Sequence, residues 1–278
     1  MRSHLSDVNS AMGGPVHDEI YRRGPASIEP MTDEIRLGGA RTLAVGPQDA
    51  PVLVVLCHGF AMKPEDLAPF CASMGLPARW LLPEAPVPAA LVPGTIVGRS
   101  WWHIDPARRL EALGRGPRDF AEIEPPDLAP ARELLSRILD DSFAQASGRT
   151  VILAGFSSGG MLAFDLLLRE RRPVAGLALL SATRIAWREQ QPLVAARTLA
   201  GLPVLATHGD ADDDLAFAAG EALRDAAIAA GANVTWAPFE GGHNIPLIAW
   251  NRLRKWAKAL APISGATPSP STDKCHRR

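Results

Sequence analysis

Short apolar runs recur along this chain, at residues 52–56, 150–154, 175–180 and 203–207. A run that is apolar throughout suits a strand covered on both faces, as in a parallel sheet. Parallel strands cannot be joined by a tight turn, so each connection must cross the sheet, usually as a helix. The intervening segments supply such helices. Residues 64–71 open on Pro64, a favoured first helical residue. After Asp127, Leu128, Ala131, Leu135, Ile138 and Ser142 share one face, while Arg132, Glu133, Arg137 and Asp140 lie elsewhere. Residues 159–169 carry so little polar surface that their helix is expected to be deeply buried. Residues 214–230 end at Gly231, a natural helix stop, and a last helix is expected over 246–259. Shorter strands are expected at 80–82 and 233–237, with a hairpin of 34–37 and 42–45 around Gly38-Gly39-Ala40. The alternation predicts an α/β domain with about eight strands, mostly parallel, and helices on both faces of the sheet.

Composition narrows the function classes. The chain has 278 residues, 47% of them apolar, enough for a substantial core. Its charges nearly balance to −1, with a pI near 6.7, so no basic field invites nucleic acid. No run is long and apolar enough to span a membrane, and the first twenty residues lack the apolar stretch of a secretory signal. Cys57, Cys71 and Cys275 make an odd count without metal-ligand spacing. That argues against a disulfide scaffold or a metal site and fits a reducing cytoplasm. Cys57 and Cys71 read as small apolar residues of a strand and a helix. Residues 1–31 read as a loose tail, 32–262 as one α/β domain, and 263–278, Ser/Thr/Pro-rich, as a disordered tail. Residues 83–126 read as a long Pro/Gly-rich connection, and such loops are often functional.

The strand at 150–154 and the buried helix after it are joined by Gly155-Phe156-Ser157-Ser158-Gly159, then Gly160. A Gly-x-Ser-x-Gly pattern at such a junction describes a turn so tight that the serine's neighbours must lack bulky side chains. The serine is then held strained, its hydroxyl projecting into a cleft, with the positive end of the next helix directed at it. Ser157 is the expected nucleophile, since it alone has glycines two residues before and after; Ser158 is the competitor.

A serine hydroxyl becomes a good nucleophile only when a base takes its proton and an acid orients the base. With this kind of turn the chain order is serine, acid, histidine. Only His208, His243 and His276 follow Ser157. His276 lies in the tail and His208 ends a strand. His243 sits in Glu240-Gly241-Gly242-His243-Asn244, a flexible turn from which an imidazole can reach across the sheet end, and is the expected base. Asp210, Asp212, Asp213 and Asp214 compete as the acid. Asp213 and Asp214 suit the cap of the following helix, and Asp210 suits the turn itself. Asp212 is the expected acid and Asp210 the second candidate.

Further motifs complete the pattern: Leu56-Cys57-His58-Gly59-Phe60 with Asp66-Leu67, Pro83-Glu84-Ala85-Pro86, Trp101-Trp102-His103-Ile104-Asp105, His208-Gly209-Asp210-Ala211-Asp212 and Gly242-His243. Taken in order over about residues 48–260, they resemble the phospholipase/carboxylesterase family of α/β-hydrolases, which includes acyl-protein thioesterases and small bacterial carboxylesterases. The resemblance implies an α/β-hydrolase fold without a large cap domain, with Ser157 as nucleophile, Asp212 as acid and His243 as base. It also implies an oxyanion hole formed by the backbone N–H groups of Phe60 and Ser158, the first reached because Gly59 lets the chain turn inward after its strand. The chain departs from the family pattern at Ala61, where a second glycine is common, at Asp213, usually proline, at Ser158, usually glutamine, and around Trp102-His103-Ile104-Asp105.

The function so implied is a serine carboxylesterase that hydrolyses short-to-medium acyl esters through an acyl-enzyme. Trp101 and Trp102 are expected to divide between core packing and a wall of the acyl pocket. No metal or organic cofactor is expected, the partner is a small-molecule ester, and a homodimer is compatible with the sequence. A thioesterase or lysophospholipase would use the same residues. A dienelactone-type hydrolase would normally carry cysteine at the nucleophile, and a non-catalytic ligand-binding relative should lack one of the three residues.

Overall fold

The computed structural model describes residues 32–261; the two expected tails and Cys275 lie outside them. The chain enters as a hairpin of β1 (Thr32–Leu37) and β2 (Ala40–Val45). Gly38 and Gly39 form its turn at φ +56° and +89°, the left-handed backbone that a two-residue hairpin turn demands. Next come β3 (Val52–Cys57), α1 (Pro64–Ser73) and β4 (Ala78–Pro83), then a second hairpin, β5 (Val87–Val92) and β6 (Thr95–Ser100). Helices α2 (Pro106–Leu113) and α3 (Leu128–Ala146) lead to β7 (Thr150–Phe156) and α4 (Ser158–Arg169). The chain closes with β8 (Gly176–Leu180), α5 (Trp187–Ala195), β9 (Pro203–Thr207), α6 (Phe217–Ala229), β10 (Asn233–Trp236) and α7 (Leu247–Leu260).

Eight strands form one sheet in the order β1-β2-β4-β3-β7-β8-β9-β10. β2 runs antiparallel to both its neighbours, and every pairing from β4 to β10 is parallel. The expected α/β-hydrolase fold, mostly parallel with helices on both faces, is therefore present. The strand alternation shows why β3 is apolar at every position. Leu53, Val55 and Cys57 face the core under α3 and α4, while Val52, Val54 and Leu56 face the core under α1 and α7. The face of α3 that the sequence marks is buried as expected. In α4 even Asp165 is fully buried, held by Arg132 of α3, Arg169 and Gln190 of α5, so a network of charged bonds ties three helices together.

The structure corrects the sequence reading in four places. Residues 83–126 are not one long loop, for they hold β5, β6 and α2. Pro93-Gly94, with Gly94 at φ +84°, is the turn that joins β5 to β6. Asp127 stands at the N-terminus of α3, but its carboxylate accepts the His103 N–H at 3.1 Å instead of capping the helix. The helix expected from about residue 214 starts at Phe217, and Asp214 lies before it in ion pairs with Arg109 and Arg118. The sequence reading assigns no element to 187–195, where α5 carries Pro192 within it.

Leu135 is fully buried at the centre of α3. Leu135→Ala is expected to cost about 2–5 kcal/mol, through lost burial plus the cavity left behind. Exposed Glu133→Ala on the same helix should change stability by less than about 0.5 kcal/mol. Urea unfolding of the two variants checks both.

Candidate active site

β7 ends at Phe156 and α4 begins at Ser158, leaving Ser157 alone to reverse the chain at φ +51°, ψ −122°. A non-glycine residue there is strained, and the surroundings hold it in place. Its N–H donates to the Leu180 carbonyl at 2.9 Å, and its carbonyl accepts from Gly160 at 2.9 Å and Met161 at 3.0 Å. The flanking glycines are required by contact. A Cβ on Gly155 would stand 2.4 Å from the Gly159 carbonyl, one on Gly159 would stand 2.3 Å from the Cys57 oxygen, and one on Gly160 would stand 2.7 Å from the Ala182 Cβ.

Ser157 Oγ lies 2.9 Å from His243 Nε2, and His243 Nδ1 lies 2.7 Å from Asp212 Oδ2. The other oxygen of Asp212 accepts the N–H groups of Asp214 at 3.0 Å and Leu215 at 2.7 Å, which fixes the carboxylate's direction. The β9–β10 pairing continues beyond both strands, with Phe239 N–H donating to His208 O and Asp210 N–H to Phe239 O, each at 3.0 Å. That continuation carries Asp212 and His243 to the same end of the sheet. Asp210, the second acid candidate, accepts the Gly241 N–H at 3.0 Å and so holds the His243 loop. Asp213 is exposed. Neither Asp213 nor Asp214 caps α6, whose N-cap position is held by Ala216. His208 is buried beside Asp212, its Nε2–H donating to Leu215 O at 3.1 Å, with Asp212 Oδ2 3.4 Å away. Burial holds its pKa below the ordinary imidazole value, against the pull of Leu215 O and Asp212.

Opposite Ser157, the turn after β3 is built on another buried histidine. His58 Nδ1–H donates to Gly59 O at 2.7 Å and its Nε2 accepts the Ala85 N–H at 3.1 Å. Those two bonds need a neutral ring, with one donor and one acceptor, and burial favours that state by lowering the pKa. Trp101 Nε1–H donates to the His58 carbonyl at 2.8 Å. Ala61 pairs with Arg99 of β6, and a Cβ on Gly98 would stand only 2.1 Å from the Ala61 oxygen. Ala61 itself lies at φ +60°, where the related pattern has its second glycine.

A small pocket, partly open to solvent, reaches Ser157 and Ser158. Phe60, Trp102, Ile104 and Phe120 form much of its apolar wall. Of the two tryptophans expected to divide between core and wall, Trp102 borders this pocket while itself packed in the core at 1% exposure. Trp101 does not line the pocket: it is fully buried in the core and braces the His58 turn. The Ser158 hydroxyl has no hydrogen-bond partner among the described residues.

The sequence reading misses two pocket cations. Arg109 and Arg118 both reach Asp214, Arg109 Nη2 at 2.8 Å, and all three side chains line the pocket. Arg109 sits in a run of charges that resembles an ordinary solvated helix face, and Arg118 lies far from the motifs, so no local signal marks either. Among the described residues no group of His, Cys, Asp and Glu is placed to hold a metal ion, and no helix is long and apolar enough to cross a membrane. Cys57 and Cys71 are buried free thiols whose pKa values are pushed up by burial.

Gly98→Ala is expected to cost about 2 kcal/mol or more, because the new methyl meets a backbone carbonyl that cannot move without the Phe60 turn. Thermal unfolding of that variant beside the parent checks the close approach.

Residues 44–259 match the model of the family described as Phospholipase/Carboxylesterase. Among solved structures, acyl-protein thioesterase 2 of Zea mays is similar at TM-score 0.66 and 19% identity, over 80% of this chain and 99% of that one. Esterase PE8 is similar at TM-score 0.61 and 23% identity, over 82% and 99%. A carboxylesterase from Mesorhizobium loti is similar at TM-score 0.62 and 17% identity, over 82% and 98%. At these identities the structures share the fold. The family match runs from β2 into α7, across nearly the whole sheet and the junction that holds Ser157, and by it the chain belongs to the phospholipase/carboxylesterase family of α/β-hydrolases.

Proposed function

We propose that this protein is a serine carboxylesterase acting on short-to-medium acyl esters. The observation that carries this reading is the continuous hydrogen-bonded line from Ser157 Oγ through His243 to Asp212. Ser157 Oγ attacks the ester carbonyl while His243 Nε2 takes its proton. Asp212 holds His243 Nδ1–H, so that Nε2 remains the accepting nitrogen and the imidazolium formed in the step is stabilised. The Phe60 and Ser158 N–H groups receive the developing oxyanion; Ser158 is the first residue of α4, so its N–H has no acceptor within the helix. His243 then protonates the departing alcohol. A water deprotonated by the same nitrogen attacks the acyl-enzyme, releasing the acid and restoring Ser157.

The pocket's modest size, with Trp102 and Ile104 in its wall, supports a short-to-medium acyl chain. Residues 83–126 fold as a hairpin and α2 at the pocket's side, which supports action on dissolved esters without interfacial activation. The buried free thiols support a reducing, cytoplasmic setting. A thioesterase reading uses the same atoms and is favoured by the likeness to a plant acyl-protein thioesterase; competing oxygen-ester and thioester substrates separate the two.

Ser157→Ala should fold as the parent does and lose several orders of magnitude in kcat on 4-nitrophenyl esters. Ser158→Ala should keep most of the rate, since only its backbone N–H is used. Parent-like hydrolysis by Ser157→Ala would refute the mechanism.

Asp212→Asn should lower kcat steeply, whereas Asp210→Asn, which keeps an acceptor for Gly241, should be mild. Initial-rate kinetics of the parent and the two variants on one 4-nitrophenyl ester read both effects.

A further inference from the structure

The pocket beside Ser157 holds more positive charge than its own structure needs. Arg109 from α2 and Arg118 from the loop after it converge on the single carboxylate of Asp214. The side chains are only 12%, 15% and 18% exposed, so two cations and one anion share a largely dry site. Burial works against the Asp214 carboxylate, but Arg118, His243 when charged, and Arg109 more than offset it and hold its pKa below the ordinary value. Within this trio one positive charge is left over, since the neighbouring Asp212 carboxylate is committed to His243 and to the Asp214 and Leu215 N–H groups, and a desolvated surplus charge is unfavourable unless an anion meets it.

The orientation of the guanidiniums favours such an anion. The Arg109 Cζ lies over the Phe60 ring, 5.2 Å from its centroid, and the Arg118 Cζ over the Phe120 ring at 4.7 Å. A guanidinium held against an aromatic ring keeps N–H groups for hydrogen bonds. Of its donors, Arg109 gives Nη2 to Asp214, and Arg118 gives Nη2 and, weakly at 3.4 Å, Nε to the same residue. The remaining fork edges suit a carboxylate, which guanidinium binds through paired, charge-assisted bonds. Trp102, Ile104 and Met161 line the same pocket, beside Ser157 and the two arginines.

We propose that Arg109 and Arg118 form a carboxylate-binding subsite and that the preferred substrates are esters bearing a second, ionised carboxylate, such as half-esters of short dicarboxylic acids. The proposal rests on ester hydrolysis at Ser157. The subsite makes this pocket select for an anion, where apolar walls alone would select for chain length.

The test compares kcat/KM of the full chain on matched anionic and neutral esters, followed by release of the alcohol. Ethyl hydrogen glutarate and ethyl hydrogen adipate are set against ethyl butanoate and ethyl pentanoate. A second arm places the carboxylate on the alcohol side, with O-acetyl-3-hydroxypropanoate against propyl acetate. One arm should favour the anion by about tenfold or more, and which arm does so tells on which side of the ester the carboxylate sits. Arg109→Gln and Arg118→Gln, each checked for folding by thermal unfolding, should bring that ratio down to near one. Arg109→Lys, which keeps the charge but not the fork, should recover part of it. In Ser157→Ala, millimolar glutarate should raise the Tm, and adding Arg109→Gln should remove the rise.

Efficient hydrolysis of neutral esters, with no anionic preference in either arm, would overturn the subsite and leave the esterase reading intact. An anionic preference that survives both glutamine variants would overturn it as well. Failure to hydrolyse any ester or to react with a fluorophosphonate would overturn the esterase reading and the substrate proposal with it.

Discussion

Three backbones meet around Gly159. A side chain there would stand 2.3 Å from the Cys57 oxygen and 2.6 Å from that of His58. The absence of a Cβ lets the start of α4 settle directly against the end of β3. Because β3 and β7 are parallel neighbours in register, with Cys57 opposite Gly155, both strands end at the same level of the sheet. The turn after β3 and the turn at Ser157 are thereby brought face to face. The two N–H groups proposed for the oxyanion belong to these turns, so their convergence depends on an approach that only glycine permits.

The aspartates after β9 show how little a residue type says about its role. Asp210, Asp212 and Asp214 lie within five positions, yet their carboxylates go three ways. Asp210 holds the backbone of the His243 loop, Asp212 meets the imidazole, and Asp214 anchors two arginines across the pocket. Arg118 is also bonded along its backbone to this turn, its N–H donating to Asp214 O at 2.9 Å while its carbonyl accepts from Ala216 at 2.9 Å. Loop 118–120 therefore buttresses the turn that aims Asp212, and the pocket wall and the acid are mechanically one unit.

The buried histidines act as rigid polar spacers. His58 bridges Gly59 and Ala85, joining the turn after β3 to the segment after β4. His208 packs so closely on α6 that a Cβ at Gly220 would stand 2.4 Å from its ring. In both, burial works against the charged form, and in His58 a neutral ring is what its one donor and one acceptor bond require. Their roles differ from that of His243, whose ring sits over Phe156 at 5.0 Å on a glycine-rich loop and meets Ser157 and Asp212 at once.

The sequence by itself determined the parts governed by local sterics and periodicity. The apolar runs, the marked face of α3, the two-glycine hairpin and the glycines around Ser157 are legible because neighbouring residues set them. The chain order of Ser157, Asp212 and His243 was legible too, since chain order survives folding. Tertiary structure alone decided how the carboxylates of 210–214 divide, because each direction depends on bonds to Gly241, His243 or Arg118, which come from other parts of the chain. It also decided that Trp101 braces the His58 turn while Trp102 borders the pocket, and that Arg109 and Arg118 line that pocket. An arginine's own neighbours cannot reveal a partner about a hundred residues away; only closure of the sheet brings the two together, and with them the charge of the site.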